Sequence, residues 1–234
     1  RENGWLDRGY VYCFDEPNES QYDLVIELAE KVHSLGKDVQ FIMTEQPEAK
    51  LLDSIDIWVP VLGSINWDKL YQRRKAGQHL WWYTCCWPKA PYPTYLIDDC
   101  GTSHRILSWL QAKYGIEGVL YWCVNVCTMY RNGAYQKECN VWEEAEMFPD
   151  ANGDGFMIYP GKQVGIDGPV TSIRLELIRD GNEDFEYFQI YRQLLGNDLD
   201  AERQIQAVIA PVAVDLTHWD HDPKKLEAQR NALA

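Results

Sequence analysis

At 234 residues, with 36 Asp+Glu against 22 Lys+Arg, the chain carries a formal net charge of −14. Such a charge repels a polyanion, so nucleic acid is excluded as an expected partner. No apolar run approaches the roughly 18 residues of a membrane span, and no basic-then-apolar leader opens the chain, so a soluble chain with no signal of its own is expected. The length suffices for one sizeable core and falls a little under the about 250 residues of a (β/α)8 domain.

Residues 9–17 form an apolar stretch that stops at two acids and a proline. Val11, Tyr12, Cys13 and Phe14 predict a short strand buried on both faces. Pro17 has no N–H for a sheet ladder and biases Glu16 toward extended backbone, marking the strand's C-terminal end. Carboxylates such as Asp15 and Glu16 at that end of a parallel strand stand where α/β and barrel enzymes keep their chemistry. A competing reading makes Asp-Glu-Pro a helix N-terminal signal, with acids near the positive end of the dipole.

A helix is predicted over 21–35, with Ser20 as N-cap and Gly36 as stop. Val39 to Met43 predict a strand ending in Thr44-Glu45-Gln46-Pro47, and 55–60 a third strand. A helix over 68–76 closes at Gly77, and residues 79–86 form a fourth strand. A helix over 103–114 precedes a fifth strand over 118–125. Strands alternating with helices predict βαβ units and a parallel sheet. Five strong strand–loop units and a weaker strand at 156–159 are fewer than the eight of a closed barrel. Either the sheet is open, or the first barrel strands lie upstream in a longer parent, and the start at Arg1, only a few residues before the acid-bearing strand, favours the second.

Asp150-Ala151-Asn152-Gly153-Asp154-Gly155 opens like a calcium loop, but the twelfth position is Gly161 where a bidentate Glu is required. A tight Asx-rich turn is the better expectation. Residues 171–195 form the strongest helical stretch, with Ile173, Leu177, Phe185, Phe188 and Leu195 available for an apolar stripe and a solvated, salt-bridged face opposite. Gly181 interrupts it. His218 and His221 lie in an acidic tail and read as surface residues. Seven cysteines, an odd number without a CxxC pair, read as buried free thiols, and no zinc or other metal site is expected. Ten Trp and fourteen Tyr are the unusual feature. Trp5, Trp67, Trp87, Trp122 and Trp142 fall at or after predicted strand ends, and rings walling a cleft with acids at its floor suit a sugar. Ordinary packing is the alternative for each of these rings.

A consistent series of motifs runs from about residue 9 to about 195. It comprises Asp15-Glu16-Pro17, Arg73 to Gly77 before Leu80-Trp81-Trp82-Tyr83-Thr84-Cys85, and Gly118-Val119-Leu120-Tyr121-Trp122-Cys123-Val124-Asn125. Asn152-Gly153-Asp154-Gly155 with Tyr159-Pro160-Gly161 follows, then Gly168-Pro169-Val170 running into Ile173 to Glu176 and Ile178 to Asp184. This series resembles the catalytic domain of glycoside hydrolase family 123, also the domain of unknown function 4091. The resemblance implies an α/β fold, a (β/α)8 TIM-type barrel of which only the C-terminal five to six β/α units are present. It treats residues 1–234 as a single catalytic domain, with 196–234 as a C-terminal helical tail, and implies an upstream β-sandwich domain in the parent chain. The implied activity is that of an exo-acting, retaining β-N-acetylgalactosaminidase on a glycosphingolipid or other GalNAc-containing glycan, without cofactor. Catalysis is substrate-assisted, the 2-acetamido oxygen attacking the anomeric carbon. Carried over, Glu16 is the general acid/base, and Asp15 orients the acetamide N–H.

The residues agree with that division of labour. Neighbours on a strand point to opposite faces, so Asp15 and Glu16 do not readily flank one bond, whereas an ordinary retaining pair stands about 5–5.5 Å apart. Substrate-assisted hydrolysis needs no enzyme nucleophile. Substrate-binding candidates at other strand ends are Tyr83, Trp122, Asn125, Glu45, Trp142 and Tyr159, with Trp122 as stacking platform. Two other readings stay open: Glu16 as acid with Glu45 as nucleophile, and a non-catalytic carbohydrate-binding or scaffold fragment.

Overall fold

The computed structural model describes residues 2–36, 38–196 and 199–233. The chain divides into two compact units, Arg1–Tyr83 with Ile116–Leu120, and Thr84–Gly115 with Tyr121–Ala234.

The first unit is a mixed α/β structure. Five strands, β1 (Tyr10–Val11), β2 (Gln40–Met43), β3 (Ile57–Trp58), β4 (His79–Tyr83) and β5 (Gly118–Leu120), form one sheet in the order β1-β2-β3-β4-β5. Every neighbouring pair is parallel. Chain order and spatial order coincide, so the sheet winds in one direction, as in part of a β/α barrel, and lacks the order reversal of a doubly wound sheet. Phe41, Ile42 and Met43 of β2 and Trp58 of β3 are fully buried, the continuous apolar run of a parallel strand covered on both faces.

β1 departs from the expected strand over 11–14. It is two residues long, and Tyr10, Tyr12 and Cys13 are exposed rather than buried. The reason is position: β1 lies at the sheet edge and pairs with β2 alone among the described residues. The helix predicted next is α1 (Tyr22–Ser34), but its entry differs. Asn18, not Ser20, is the cap: its side chain accepts the Ser20 N–H, and the Gln21 side chain accepts the Asn18 N–H, closing a capping box around the short 3-10 turn Glu19–Gln21. Tyr22, Val25, Ala29 and Val32, at helical spacing, make the buried face of α1, which packs on β2. Asn66 caps α2 (Trp67–Lys75) by accepting the Lys69 N–H, and Gly77, at φ 87°, turns the chain into β4.

The second unit contains α3 (Gly101–Tyr114), α4 (Ile173–Leu194), α5 (Leu199–Ile209) and α6 (Pro223–Asn231), with two hairpins. The weak strand expected over 156–159 is β8 (Ile158–Pro160), which pairs antiparallel with β9 (Pro169–Thr171) and is no member of the parallel sheet. An unexpected hairpin joins β6 (Thr128–Arg131) to β7 (Ala134–Glu138). Its turn is Asn132-Gly133, both at positive φ (53° and 78°), the left-handed pair that a two-residue hairpin requires.

α3 and α4 pack closely, with Trp109 and Phe188 edge to face at 5.0 Å between centroids. Gly181 belongs to that contact: a Cβ there would lie 2.8 Å from Ser108 Oγ and 3.0 Å from the Arg105 carbonyl. It allows the approach of the helices rather than merely interrupting one. The expected division of α4 into apolar stripe and solvated face is corrected on both sides, because Ile173 is exposed while Arg174 and Asp184 are buried. Asp184 accepts from Arg105 (2.6 and 2.9 Å), Arg230 (2.8 Å) and the Trp109 indole N–H (2.8 Å). The Arg174 guanidinium donates to the carbonyls of Tyr95 (2.8 Å), Gly153 (2.7 Å) and Phe156. Full pairing is what lets these charges be buried. The cysteines also depart from expectation: all seven are free thiols, but Cys13 and Cys100 are exposed and the rest half-buried.

Candidate carboxylate site

In the first unit the chain leaves β1 and reaches the two acids after a short irregular stretch. The β1–β2 register pairs Tyr10 with Gln40 and Val11 with Phe41. Thr44 stands just past the end of β2. There the acids find their partners. Asp15 Oδ1 accepts the Tyr12 hydroxyl and, at 2.9 Å, the Thr44 hydroxyl. Tyr12 and Thr44 are themselves 3.1 Å apart. Although the Tyr12 side chain is exposed overall, partial desolvation of its phenol, followed by the hydrogen bond to Asp15, raises that group well above its usual range, so Tyr12 remains a proton donor.

Glu16 is held differently. Its backbone N–H donates to Thr44 Oγ1 at 3.0 Å, and its carboxylate accepts the Tyr83 hydroxyl from the end of β4. Its φ is 42°, in the left-handed region that a side chain with a Cβ occupies at a cost of about 1–3 kcal/mol. Strained geometry of this kind persists where surroundings over-determine it. The adjacent acids therefore have separate anchors for their carboxylates, Tyr12 and Thr44 for Asp15 and Tyr83 for Glu16.

Glu45, one residue past Thr44, accepts the Gln46 N–H at 2.7 Å. Burial pushes its carboxyl up, and the charges of Glu48 and Glu16 add to that. Asp15, Glu16, Glu45 and Tyr83 thus belong to one neighbourhood in the first unit. Sequence reasoning missed Tyr12 and Thr44. Their available signal was place: both flank the ends of the two strands that carry the acids.

Trp122, Asn125, Trp142 and Tyr159 belong to the second unit. The Trp122 indole N–H donates to Asp154 Oδ2 (3.1 Å), and the Tyr121 hydroxyl donates to Asp154 Oδ1 (2.9 Å) while accepting the Gly155 N–H (2.9 Å). Asp154 is buried, which raises its carboxyl, although these donors pull the other way. Gly155, at φ 76°, lies against the ring: a Cβ there would come within 2.3 Å of Trp122. Trp122 keeps 39% of its surface exposed. Asn125 forms an isolated antiparallel bridge with Phe156. Trp142 and Tyr159 meet ring to ring at 4.8 Å, and the Trp142 indole N–H donates to the Pro160 carbonyl at 3.1 Å. Residues 150–155 form a turn in which Asn152 Nδ2 donates to Asp98 (2.8 Å) and Asp154 accepts as above. Among the described residues no cluster of three or more His, Cys, Asp or Glu is arranged to hold a metal ion.

A one-way parallel β/α sheet with two carboxylates just beyond a strand's C-terminal end defines the class: a β/α domain of the kind that places acid–base chemistry at that end of its sheet. The sequence profile described as glycoside hydrolase 123, catalytic domain, matches residues 1–191, and the chain belongs to that family. A solved structure of similar fold is a family 123 glycoside hydrolase from Clostridium perfringens, analysed for the details of glycolipid glycan hydrolysis. The TM-score is 0.62 at 16% sequence identity, and the match covers 99% of this chain and 41% of that one. The likeness is one of fold, and the chain spans about two fifths of that relative's length. No curated protein matches the chain.

Proposed function

We propose that this chain carries the acid–base centre of a glycosidase, an exo-acting, retaining β-N-acetylgalactosaminidase whose substrate supplies its own nucleophile. Family membership supports glycosidic-bond hydrolysis. The observation that carries the finer reading is the separate anchoring of the adjacent acids, Asp15 on Tyr12 and Thr44, Glu16 on Tyr83. Two neighbours held in this way suit two tasks. The acetamide oxygen attacks the anomeric carbon as Glu16 gives its proton to the leaving oxygen, and the glycosidic C–O bond breaks. Asp15 accepts the acetamide N–H and orients that oxygen. Water then opens the oxazoline-type intermediate, its proton passing to Glu16, with net retention. Tyr83 holds the Glu16 carboxyl.

A second reading keeps Glu16 as acid and makes Glu45 the nucleophile, prompted by their being close enough for the Glu16 charge to act on Glu45. Burial and that like charge both raise the Glu45 carboxyl and so oppose this reading, because a nucleophile must be ionised. Release of p-nitrophenol from the β-GalNAc glycoside, with Glu16→Gln and the matching β-galactoside as controls, decides. Turnover of the N-acetylated substrate alone, lost in the variant, supports acetamide assistance. Turnover of both sugars supports two carboxylates. Sugar binding without turnover, unchanged by Glu16→Gln, marks a non-catalytic binding domain.

A further inference from the structure

We propose that Thr44 is a positioning residue for both acids, setting Asp15 and Glu16 through one hydroxyl. The inference rests on the assignment of those acids as the reacting pair. A threonine hydroxyl has one proton to give and two lone pairs to receive. Here the proton goes to Asp15 Oδ1 at 2.9 Å, and a lone pair takes the Glu16 N–H at 3.0 Å. The same oxygen lies 3.1 Å from the Tyr12 hydroxyl, the second donor to Asp15. Thr44 is 4% exposed and follows directly on β2, whose Phe41, Ile42 and Met43 are fully buried, whereas both acids are exposed on an irregular segment beyond the end of β1. The hydroxyl therefore ties two exposed acids to the buried end of β2.

The contact on Glu16 has particular weight. Its φ of 42° is unfavourable for a residue with a Cβ, and its N–H needs an acceptor in that conformation. Thr44 provides one. Removing the hydroxyl frees the Glu16 backbone to relax, which swings the general acid, and withdraws one of the two donors on Asp15. Small displacements of this kind cost catalysis rather than binding, because they act on the near-attack geometry.

Thr44→Val keeps the shape and removes the hydroxyl, and Thr44→Ser restores the hydroxyl without the methyl. With p-nitrophenyl β-GalNAc, Thr44→Val is expected to lower kcat at least tenfold with KM changed less than about threefold, and Thr44→Ser to recover most of the rate. Wild-type kcat in Thr44→Val, with Asp15→Asn and Glu16→Gln inactive, overturns the positioning role and leaves the catalytic assignment standing. Full activity in Glu16→Gln overturns the assignment and the inference together. If the chain binds without turning over, calorimetry with GalNAc-thiazoline, a mimic of the bicyclic intermediate, reads the same geometry. An affinity loss of tenfold or more in Thr44→Val but not in Thr44→Ser supports the role, and equal affinities in all three proteins overturn it.

Discussion

Tyr83, the last residue of β4, donates its hydroxyl to the carboxylate of Glu16, a residue 67 positions earlier that sits just beyond β1. Parallel strands bring their C-terminal ends to one edge of the sheet, so a phenol and an acid far apart in sequence share a hydrogen bond there. In the proposed mechanism Tyr83→Phe withdraws a charge-assisted donor worth ~1.5–3 kcal/mol, so kcat/KM falls roughly ten- to a hundredfold. Steady-state kinetics on the β-GalNAc glycoside measure it; an unchanged kcat/KM would separate Tyr83 from the chemistry.

Asp184 predicts the largest loss of stability. It is fully buried between Arg105, Arg230 and the Trp109 indole. Asp184→Asn keeps the shape and leaves Arg105 and Arg230 with only the half-exposed Glu227 as counter-charge, a loss of up to about 3–5 kcal/mol, the range for a buried pair that loses one partner. Urea unfolding should show a lower midpoint with an unchanged slope. Glu183→Gln, on the exposed face of the same helix, should stay within about 0.5 kcal/mol of the wild type.

Gly155→Ala tests the turn that supports Trp122. The new methyl would approach the indole to 2.3 Å, at a backbone φ of 76° that alanine resists. Overpacking and backbone strain together predict a loss of about 1–4 kcal/mol. Thermal unfolding reads the loss. Gly165→Ala has a similar φ, 77°, but open space around its Cβ, so the difference between the two variants isolates the contact with the ring.

His104 makes stability depend on pH. Burial, helped by the Arg174 charge and opposed by Asp99, pushes the imidazole down to about 4 from its ordinary 6.5. Between those values the unfolded chain takes up a proton that the folded chain refuses. Stability therefore is full above pH 6.5 and falls as pH drops through the window to about 4, by as much as ~3 kcal/mol from this group. His104→Leu should flatten that part of the profile relative to the wild type. A variant whose urea midpoint falls as steeply as the wild type between pH 6.5 and 4.5 would refute the prediction.

Much of this was legible before any coordinates. The apolar runs at Val39 to Met43 and Leu80 to Tyr83 and the spacing Tyr22, Val25, Ala29, Val32 are local patterns, and the sheet and α1 follow them. Asn132-Gly133 was equally plain as a hairpin signal, and β6–β7 could have been read from it. Asp15 and Glu16 stood out as acids ending a strand. Thr44 did not, since a threonine before Glu45 differs in no local way from any other threonine.

The sequence by itself determined the order of strands and helices, the family and the adjacent acids, because periodicity, turn chemistry and motif order are properties of short segments. Tertiary structure alone decided that β1 lies at an exposed edge, that Asp184 and Arg174 are buried charges, and that Thr44 and Tyr83 reach the two acids. Each of these depends on which segments meet across the sheet or between helices. Hydrogen bonds act over about 3 Å in space, however many residues separate donor from acceptor along the chain.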